Sequence, residues 1–540
     1  MTIRFIFITG GVSSSLGKGL SAAALASLLQ QQGYKVRLKK MDGYLNVDPG
    51  TMSPLQHGEV FVTNDGAETD LDLGHYERFT SVNARSSDST SMGKIYSSLI
   101  TKERNGRFEG ATVQVIPHVT DEIKEFILSD IEGEDFVLCE IGGTVGDIEN
   151  LPFLEAVRQL RLEIGPHRTM FIHLALVPYL EHAQEIKTKP AQKSVKELLG
   201  FGIQPDLLLC RCTHRLNQEL KIKLGLFCNI VQERVISAID VQTIYQVPIE
   251  YQKEELDKQV CLYFNVRFNT LHRNPWERVV YKILHPNKEV KIGIVGKYTK
   301  LLDAYKSLIE SLNHGAVAND CMVSIIWIDA LDKKYQDENI LNHELSKVDG
   351  IIVPGGFGEN GTDVKIQAIT FARENDIPFL GICLGMQLTV IEVAQNLLNL
   401  KDASTTEFGP TLDPVVYLLT KWSKESKIEE RNENSQLGGT MRLGSYPCII
   451  QKDSLAYKIY GKEIIHERHR HRYEINKDYK DRLEEIGVVF SGFSSDLLSP
   501  EIVEYVKHRW FIAVQFHPEF ISRPLDPHPL FRSFIQAIVK

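Results

Sequence analysis

The chain opens with an apolar run that leads through a glycine- and serine-rich turn into a helical pattern. Residues 5–8 are apolar, Gly10 and Gly11 follow, and alanine and leucine dominate from 20 to 32. A short apolar run of β-branched and aromatic residues predicts a buried strand, whereas apolar residues recurring over a longer stretch predict a helix. The start of the chain is therefore predicted to form a strand, a glycine loop and a helix.

The same alternation of apolar runs and helical patterns continues along both halves of the chain. Further strands are predicted at 35–40, 135–140, 168–177, 206–210, 290–296, 350–352, 377–382 and 511–516, and further helices at 191–199, 216–227 and 384–396. Strands that alternate with helices are typical of parallel sheets covered on both faces. The predicted fold class is therefore α/β, with two doubly wound, mostly parallel sheets.

Three stretches depart from this alternation. The pattern breaks between 268 and 289, which predicts a linker between a first domain at 1–267 and a second domain at 290–540. Residues 41–92 are dense in Gly, Pro, Asp and Asn, and a loop of that length is uncommon unless it is functional. Residues 421–436 are highly charged with alternating sign, which predicts a mobile surface loop.

Composition and charge indicate which binding partners and which cellular location to expect. The 540 residues carry a net charge of −9, so we expect no nucleic-acid binding through a general basic surface. The eight cysteines show no Cys-x-x-Cys or metal-like spacing, which is typical of reduced thiols in a cytoplasmic protein. No apolar stretch approaches about 18 residues, so neither a membrane span nor a signal peptide is predicted.

The glycine loop is suited to binding phosphate. Its glycines allow backbone N–H groups to turn towards an anion, the helix start adds partial positive charge, and Lys18 adds a full charge. The strict phosphate-loop pattern has four residues between its glycines and Ser or Thr after the lysine. Here five residues separate Gly11 from Gly17, and Gly19 follows the lysine. A plain glycine turn with a solvated lysine is the alternative.

Acidic and basic residues elsewhere in the first half add candidate ligands. Glu140 ends the strand predicted at 135–140, and Asp72 lies in the 41–92 stretch. A carboxylate at the carboxyl end of a parallel strand can hold Mg²⁺ in a nucleotide site, although such residues are often only solvent-facing. Lys187 and Lys189 precede a helix predicted to start at Pro190, and they form either a solvated turn or a second site for nucleotide phosphates.

A second centre of chemistry lies in the second half. Cys383 stands between two glycines at a strand-to-helix junction, the pattern of a strained turn that projects a nucleophile above the sheet. His517 follows a predicted strand, and Glu519 can hold its imidazole in one tautomer. The glycine-rich residues 353–358 can offer N–H groups to an oxyanion. Taken singly, a buried cysteine is usually a small hydrophobe and a histidine is usually structural.

These motifs resemble known families. Residues 381–387 and 515–519 resemble class I glutamine amidotransferases, which hydrolyse glutamine to glutamate and ammonia. The first half resembles the amidoligase domain of the CTP synthase family, and the resemblance covers nearly the whole chain. The blocks that carry it are Gly-Gly-Val-Ser-Ser-Ser-Leu-Gly-Lys-Gly at 10–19, Asn-Val-Asp-Pro-Gly-Thr-Met-Ser-Pro at 46–54, Gln-His-Gly-Glu-Val-Phe-Val at 56–62, the acidic run at 65–78, Lys-Thr-Lys-Pro at 187–190 and Glu-Arg-His-Arg-His-Arg-Tyr at 467–473.

The resemblance implies a ligase with a P-loop-type amidoligase domain followed by a class I glutamine amidotransferase domain. ATP phosphorylates O4 of UTP, and ammonia from L-glutamine displaces that phosphate to give CTP. The implied ATP-binding residues are Ser14, Ser15, Leu16, Gly17, Lys18, Gly19, Lys40 and Asp72, with Mg²⁺ on Asp72 and Glu140. The implied UTP- and CTP-binding residues are Ser13, Asp147, Ile148, Glu149, Lys187, Thr188, Lys189, Pro190, Ala191, Gln192 and Lys223.

The same resemblance implies the glutaminase residues and the regulation. Cys383 is the implied nucleophile, His517 the base and Glu519 the residue that orients it. The implied glutamine-binding residues are Gly356, Leu384, Gly385, Met386, Gln387, Glu407 and Arg472. The family also implies feedback inhibition by CTP at 147–149, activation by GTP, a homotetramer that can form filaments, and a cytoplasmic location.

One departure from the family pattern concerns the lid of the second domain. In the family this segment usually has the sequence Gly-Phe-Gly-x-Arg-Gly, followed later by Gly-Lys. In this chain Glu359-Asn360-Gly361 replaces x-Arg-Gly, and Val364-Lys365 replaces Gly-Lys. The missing cation predicts a weaker dependence of glutamine use on GTP.

Two alternatives to this reading remain. One is a non-catalytic scaffold, which would be expected to have lost Lys18, Asp72, Glu140 or Cys383. The other is a glutamine-fed amidoligase that acts on a carboxylate, against which the match at 187–192 stands.

Overall fold

The computed structural model describes residues 2–11, 16–270, 274–424, 427–430 and 441–539, and it divides into two compact units. The first unit comprises Met1–Pro49 and Asp72–Tyr281, and the second comprises Gly50–Leu71 and Lys282–Lys540. The sequence predicted one boundary, at 268–289, and did not predict that Gly50–Leu71 belongs to the second unit. That segment packs there through side chains such as Glu59, whose carboxylate accepts the backbone N–H of Ser307 at 2.7 Å.

A seven-stranded sheet forms the centre of the first unit, and every neighbouring pair of its strands is parallel. In spatial order the strands are Val235–Ile239, Leu207–Cys212, Thr169–Leu176, Arg4–Gly10, Phe136–Ile141, Val36–Asp42 and Ser89–Ser91. The helices along this part of the chain are Lys18–Gln31, Asp72–Thr80, Met92–Arg104, Thr120–Leu128, Leu151–Ile164, Lys189–Gly200, Gln218–Cys228, Val247–Lys253, Leu256–Tyr263 and Pro275–Leu284.

A nine-stranded sheet forms the centre of the second unit. Five strands run parallel, in the order Cys321–Asp329, Lys288–Gly296, Gly350–Val353, Phe379–Ile382 and Phe511–Val514. Four antiparallel strands extend it: Pro500–Tyr505, Val488–Ser494, Arg442–Ile450 and Ile464–His471. The helices are Pro54–His57, Lys306–Ala318, Glu338–Leu345, Thr362–Glu374, Leu384–Asn396, Leu455–Tyr460, Lys480–Glu485 and Pro529–Val539. The α/β fold class is confirmed in both units.

Smaller sheets complete the architecture. They pair Tyr179–Leu180 with Glu185–Ile186 in the first unit, and Phe61–Val62 with Glu68–Thr69 and Ala403–Thr405 with Asp413–Leu418 and Tyr473–Ile475 in the second. Among the described residues, no helix is both long enough and apolar enough to cross a membrane.

Two stretches predicted to be irregular contain regular structure. The stretch 41–92 includes the helix Asp72–Thr80, which its polar composition concealed. In the charged segment 421–436, Lys421–Lys424 pairs with Lys427–Glu430 as antiparallel strands, while 425–426 and 431–436 lie outside the described residues. The loop prediction failed there because charge alternation carries no information on backbone pairing.

The predicted linker at 268–289 contains the boundary between the two units, which falls after Tyr281, but it is not irregular, since it includes the helix Pro275–Leu284. Proline suits the first turn of a helix, where its missing N–H would have no partner within the helix. Trp276 is buried and stacks on Tyr245 with ring centroids 5.6 Å apart, and its indole N–H donates to Ser27 Oγ at 3.0 Å. Aromatic burial thus fixes the start of this helix to the first unit.

We expect Trp276→Ala to lower the free energy of unfolding of the first unit by about 3–5 kcal/mol, because it removes a large buried ring and its hydrogen bond. Arg278→Ala, at an exposed position of the same helix, serves as the matched control and should change it by less than about 0.5 kcal/mol. Urea unfolding followed by circular dichroism measures both. Equal effects of the two substitutions would contradict this account of the helix.

Candidate active sites

The phosphate loop of the first unit lies between the strand Arg4–Gly10 and the helix Lys18–Gln31. Gly17 precedes the helix with a φ of +92°, a left-handed conformation that a side chain would strain. The Lys18 amine donates to the carbonyl of Gly143 at 2.7 Å, and burial lowers the pKa of Lys18 against the opposing charge of Glu140. Leu16 and Gly19 belong to the same turn, whereas the predicted ligands Ser13, Ser14 and Ser15 lie outside the described residues.

Lys40, Asp72 and Glu140 meet beside this loop. Lys40 and Glu140 are register partners on adjacent parallel strands, and the Lys40 amine lies 3.1 Å from Glu140 Oε1. The same amine also bonds the carboxylate of Asp72, the first residue of the helix Asp72–Thr80. A Cβ added at Gly19 would collide with the Asp72 carboxylate and approach that of Glu140. Of the residues predicted to bind ATP and Mg²⁺, the structure therefore places Gly19, Lys40, Asp72 and Glu140 close together.

The donor set of this cluster fits Mg²⁺. Magnesium in nucleotide sites usually takes one or two carboxylates, and its other ligands are phosphate oxygens and water. Asp72 and Glu140 supply two carboxylates, and the described residues contain no group of three or more His, Cys, Asp or Glu arranged for a metal. Burial and the Asp72 charge raise the pKa of Glu140, with Lys40 opposing them.

The sequence analysis missed Asp42 in this cluster. Its carboxylate lies 3.6 Å from the Lys40 amine, and burial raises the pKa of Asp42 to about 6. Asp42 ends the strand Val36–Asp42, just as Glu140 lies near the end of its own strand, so the same pattern could have identified it.

The residues predicted to bind the pyrimidine nucleotide surround the start of the helix Lys189–Gly200. Thr188 directly precedes this helix, and the Gln192 amide donates to its hydroxyl at 3.1 Å. The Lys187 amine lies 2.5 Å from Glu185, and the hydrogen bond and charge of Lys187, together with the charge of Lys223, lower the pKa of Glu185. Lys189, Pro190 and Ala191 form the first turn of this helix, whereas Ser13 lies outside the described residues.

The turn predicted to bind inhibitory CTP lies next to the same helix. The Asp147 carboxylate accepts the N–H of Thr144 at 2.7 Å, while Ile148 and Glu149 are exposed. A Cβ added at Gly146 would contact the carboxylate of Glu197 on the helix Lys189–Gly200. The turn therefore presents an acidic, solvent-facing edge beside the predicted nucleotide site.

In the second unit, Cys383 sits at a strained junction. It separates the strand Phe379–Ile382 from the helix Leu384–Asn396 and has a φ of +55° and a ψ of −105°. Glycine is required two residues later, because a Cβ at Gly385 would collide with the carbonyl oxygen of Val353. Such a turn projects the nucleophile above the sheet at the positive end of a helix, where a thiolate is stabilised.

His517 and Glu519 form a pair next to this cysteine. His517 Nδ1 and Glu519 Oε1 are 2.7 Å apart, and His517 Nε2 is buried without a hydrogen-bond partner among the described residues. Burial disfavours the charged imidazole, but the charges of Glu519 and of a Cys383 thiolate raise the pKa of His517 to about 10. A Cβ placed at Gly355 would lie 2.8 Å from the His517 ring and 3.5 Å from Cys383 Cβ.

A cavity of about 100 Å³ joins these groups. Cys383, His517 and Glu519 line it together with the loop that contains Gly355 and Gly356. The sequence analysis missed a further part of its wall, which consists of Arg470 and three residues of the segment Gly50–Leu71: Pro54, Glu59 and Val60.

The predicted glutamine ligands fall into two groups. Gly356 lines the cavity with Leu384 beside it, and Gly385 and Met386 continue the first helical turn. Glu407 and Arg472 contact the residues after Gly356: Glu407 accepts the N–H of Gly358 at 2.7 Å, and the Arg472 guanidinium lies 5.6 Å from the Phe357 ring centre.

Gln387 is connected to Cys383 by hydrogen bonds through a residue that the sequence analysis did not select. Its amide donates to the carbonyl of Tyr473 at 2.9 Å and to Gln515 Oε1 at 3.3 Å. The Gln515 amide in turn donates to the Cys383 sulfur at 3.8 Å. The position of Gln515, two residues before His517, was the only sign of this role in the sequence.

Comparisons with known proteins identify the family of each half of the chain. The family described as CTP synthase N-terminus matches residues 4–266, and that described as glutamine amidotransferase class-I matches residues 300–537. CTP synthases of Rhodospirillum rubrum and Paramagnetospirillum magneticum are each 58% identical to this chain over 537 residues, covering 99% of it and 98% and 99% of those proteins.

A solved structure of the Trypanosoma brucei CTPS glutaminase domain with bound acivicin is also similar, with 38% identity and a TM-score of 0.41. The match covers 46% of this chain and 94% of the chain in the solved structure. The resemblance predicted from the sequence motifs is confirmed by the two family matches and by the full-length relatives. The chain therefore belongs to the CTP synthase family.

Proposed function

We propose that the two centres divide the reaction of a glutamine-dependent CTP synthase, a ligase that aminates UTP at C4 at the expense of ATP. The observation that carries this division is the strained Cys383 beside the His517–Glu519 pair, in a chain that also holds Lys18, Asp72 and Glu140 around a phosphate loop. None of the side chains that a non-catalytic scaffold would be expected to lose is missing. One centre releases ammonia, and the other consumes it.

In the second unit, the Cys383 thiolate attacks the amide carbon of glutamine. N–H groups of the loop at Gly355 and Gly356 and of the first helical turn are suited to stabilise the oxyanion. His517, held by Glu519, donates a proton to the departing nitrogen, so that ammonia and a γ-glutamyl thioester result. His517 then takes a proton from water as the water attacks the thioester, which releases glutamate.

In the first unit, Lys18 and Lys40 contact the phosphates of ATP, and Asp72 and Glu140 would hold Mg²⁺, which when bound neutralises charge on the transferring phosphoryl group. Lys187 to Gln192 and Lys223 bind UTP. The uracil O4 is a poor leaving group until it is phosphorylated, after which ammonia displaces it as phosphate.

The remaining family properties are part of the same proposal. The acidic turn at Asp147 to Glu149 takes part in CTP feedback inhibition, GTP activates glutamine use, and the chain forms homotetramers in the cytoplasm. These properties are included because relatives that carry the name CTP synthase match 99% of this chain.

Cys383→Ala should abolish CTP formation from glutamine and leave formation from ammonium chloride within about twofold of wild type, because only the first source needs the thiolate. The absorbance change on conversion of UTP to CTP, with ATP and Mg²⁺, measures both. Loss of both activities in a folded variant would contradict the division, and so would retention of glutamine use.

Glu519→Gln tests the electrostatic role of the His517–Glu519 pair. Removing the carboxylate takes away a charge that raises the pKa of His517, so the imidazole should lose its proton at lower pH. The alkaline limb of kcat/KM for glutamine hydrolysis should therefore move to lower pH than in wild type. The ratio of variant to wild-type ammonia-dependent activity is the control and should not vary with pH. An unmoved alkaline limb would contradict this role.

Asn360→Arg tests the lid. Asn360 is exposed directly before Gly361, which precedes the helix Thr362–Glu374, and it stands where the family usually has a cation. We expect GTP to stimulate glutamine-dependent CTP synthesis more strongly in the variant than in wild type, because an arginine can pair with phosphate. Asn360→Lys serves as a charge-matched comparison without the bidentate geometry. Equal fold stimulation of wild type and Asn360→Arg would contradict the prediction.

A further inference from the structure

Lys365 is a fully buried lysine whose charge has no hydrogen-bonded partner among the described residues. It lies on the helix Thr362–Glu374, its exposed fraction is 0%, and its amine makes no hydrogen bond within that part of the chain. Lys39, which is equally buried, donates to the carbonyls of Phe126 and Ser129, each at 2.8 Å. Burial of an unpartnered amine is costly, and Lys365 receives none of the compensation that Lys39 has.

The position of this amine relates it to the glutaminase centre. It lies 3.7 Å from where a Cβ of Gly356 would stand, behind the loop that lines the cavity with Cys383. Leu384, which begins the helix after Cys383, approaches the same point at 3.5 Å. The amine therefore lies close to Gly356, a residue that lines the same cavity as Cys383, although Lys365 itself is not part of the cavity lining.

Two charges act on Lys365. Lys297 is positive, and its own amine donates to the carbonyls of Phe357 and Gly358 at 2.9 and 2.5 Å. Glu407, which accepts the N–H of Gly358, raises the pKa of Lys297 against the effect of burial. The second charge is the negative charge that Cys383 carries when its thiol is ionised. Burial, with help from Lys297, lowers the pKa of Lys365 to about 7, and a Cys383 thiolate opposes that shift.

We propose that Lys365 is a positioning residue for the nucleophile, whose ammonium stabilises the Cys383 thiolate from behind the Gly355–Gly356 loop. The proposal rests on Cys383 being the glutaminase nucleophile. Interaction between two ionised groups is reciprocal, so a thiolate that favours the ammonium form of Lys365 is favoured by it to the same extent. The low dielectric of the buried site strengthens this effect.

Lys365→Met tests the proposal, with alkylation of Cys383 by iodoacetamide followed across pH by mass spectrometry of the peptide that contains it. We expect the pH midpoint of alkylation to rise by about one unit and kcat/KM for glutamine hydrolysis near neutral pH to fall roughly tenfold. Ammonia-dependent CTP synthesis should stay within about twofold of wild type. The thermal midpoint should not fall, because methionine removes the unpartnered amine and keeps the apolar stem.

Lys334→Met, at an exposed position of the same unit, is the matched control and should leave the alkylation profile unchanged. An unchanged profile in Lys365→Met would overturn the proposal. A lowered thermal midpoint with equal loss of glutamine- and ammonia-dependent activity would also overturn it, since that outcome marks a structural lysine. Failure of the nucleophile assignment itself is distinguishable, because Cys383→Ala would then retain glutamine use.

Discussion

Both centres depend on the parallel register of neighbouring strands. In the first unit, Lys40 and Glu140 are partners across two parallel strands, and Ile8, just before the phosphate loop, is the partner of Glu140 on the other side. In the second unit, Gly381 pairs with Val353 and with Ala513. The glycine loop after Val353, Cys383 and His517 therefore emerge at one edge of the sheet. A sheet of parallel strands collects its chemistry at the carboxyl ends, where turns from several strands converge.

Removal from water is the second physical factor that the two centres share. Lys40 is held by the carboxylates of Asp72 and Glu140, and loss of one partner of such a buried set leaves an uncompensated charge, at a typical cost of about 3–5 kcal/mol. In the second unit, burial works against the charged form of His517, and Glu519 together with the thiolate overcomes it. Each site thus brings opposite charges together inside the protein.

The sequence predicted those features whose cause is local. Glycine spacing around Cys383, apolar runs before Glu140 and His517, and the helix after Lys18 are all determined within a few residues, and the structure contains each of them. The motif blocks extended this to most site residues because they match long stretches of the family pattern. Asp42 ends its strand and Glu140 lies next to the end of its own, but the strand before Asp42 was predicted to end at residue 40, so Asp42 appeared to belong to the following loop.

Features that depend on distant partners could not be predicted. The segment Gly50–Leu71 packs on the second unit through contacts such as Arg468 Nε with Asn64 Oδ1 at 2.6 Å, which join residues 404 positions apart. Trp276 gave no sign of its stacking on Tyr245, so its helix was taken for a linker. Lys365 looks like any helical lysine in the sequence, and only the packing around it reveals a buried amine without a partner.

The most direct test of the two-centre account follows both nitrogen and oxygen in one reaction. Wild-type enzyme would receive [amide-¹⁵N]glutamine, [4-¹⁸O]UTP, ATP and Mg²⁺, with products analysed by mass spectrometry and ³¹P NMR. The account predicts ¹⁵N at the 4-amino group of CTP and ¹⁸O in the inorganic phosphate, because ammonia displaces a phosphate that carries the uracil oxygen. Inorganic phosphate without ¹⁸O, or CTP without ¹⁵N, would contradict it.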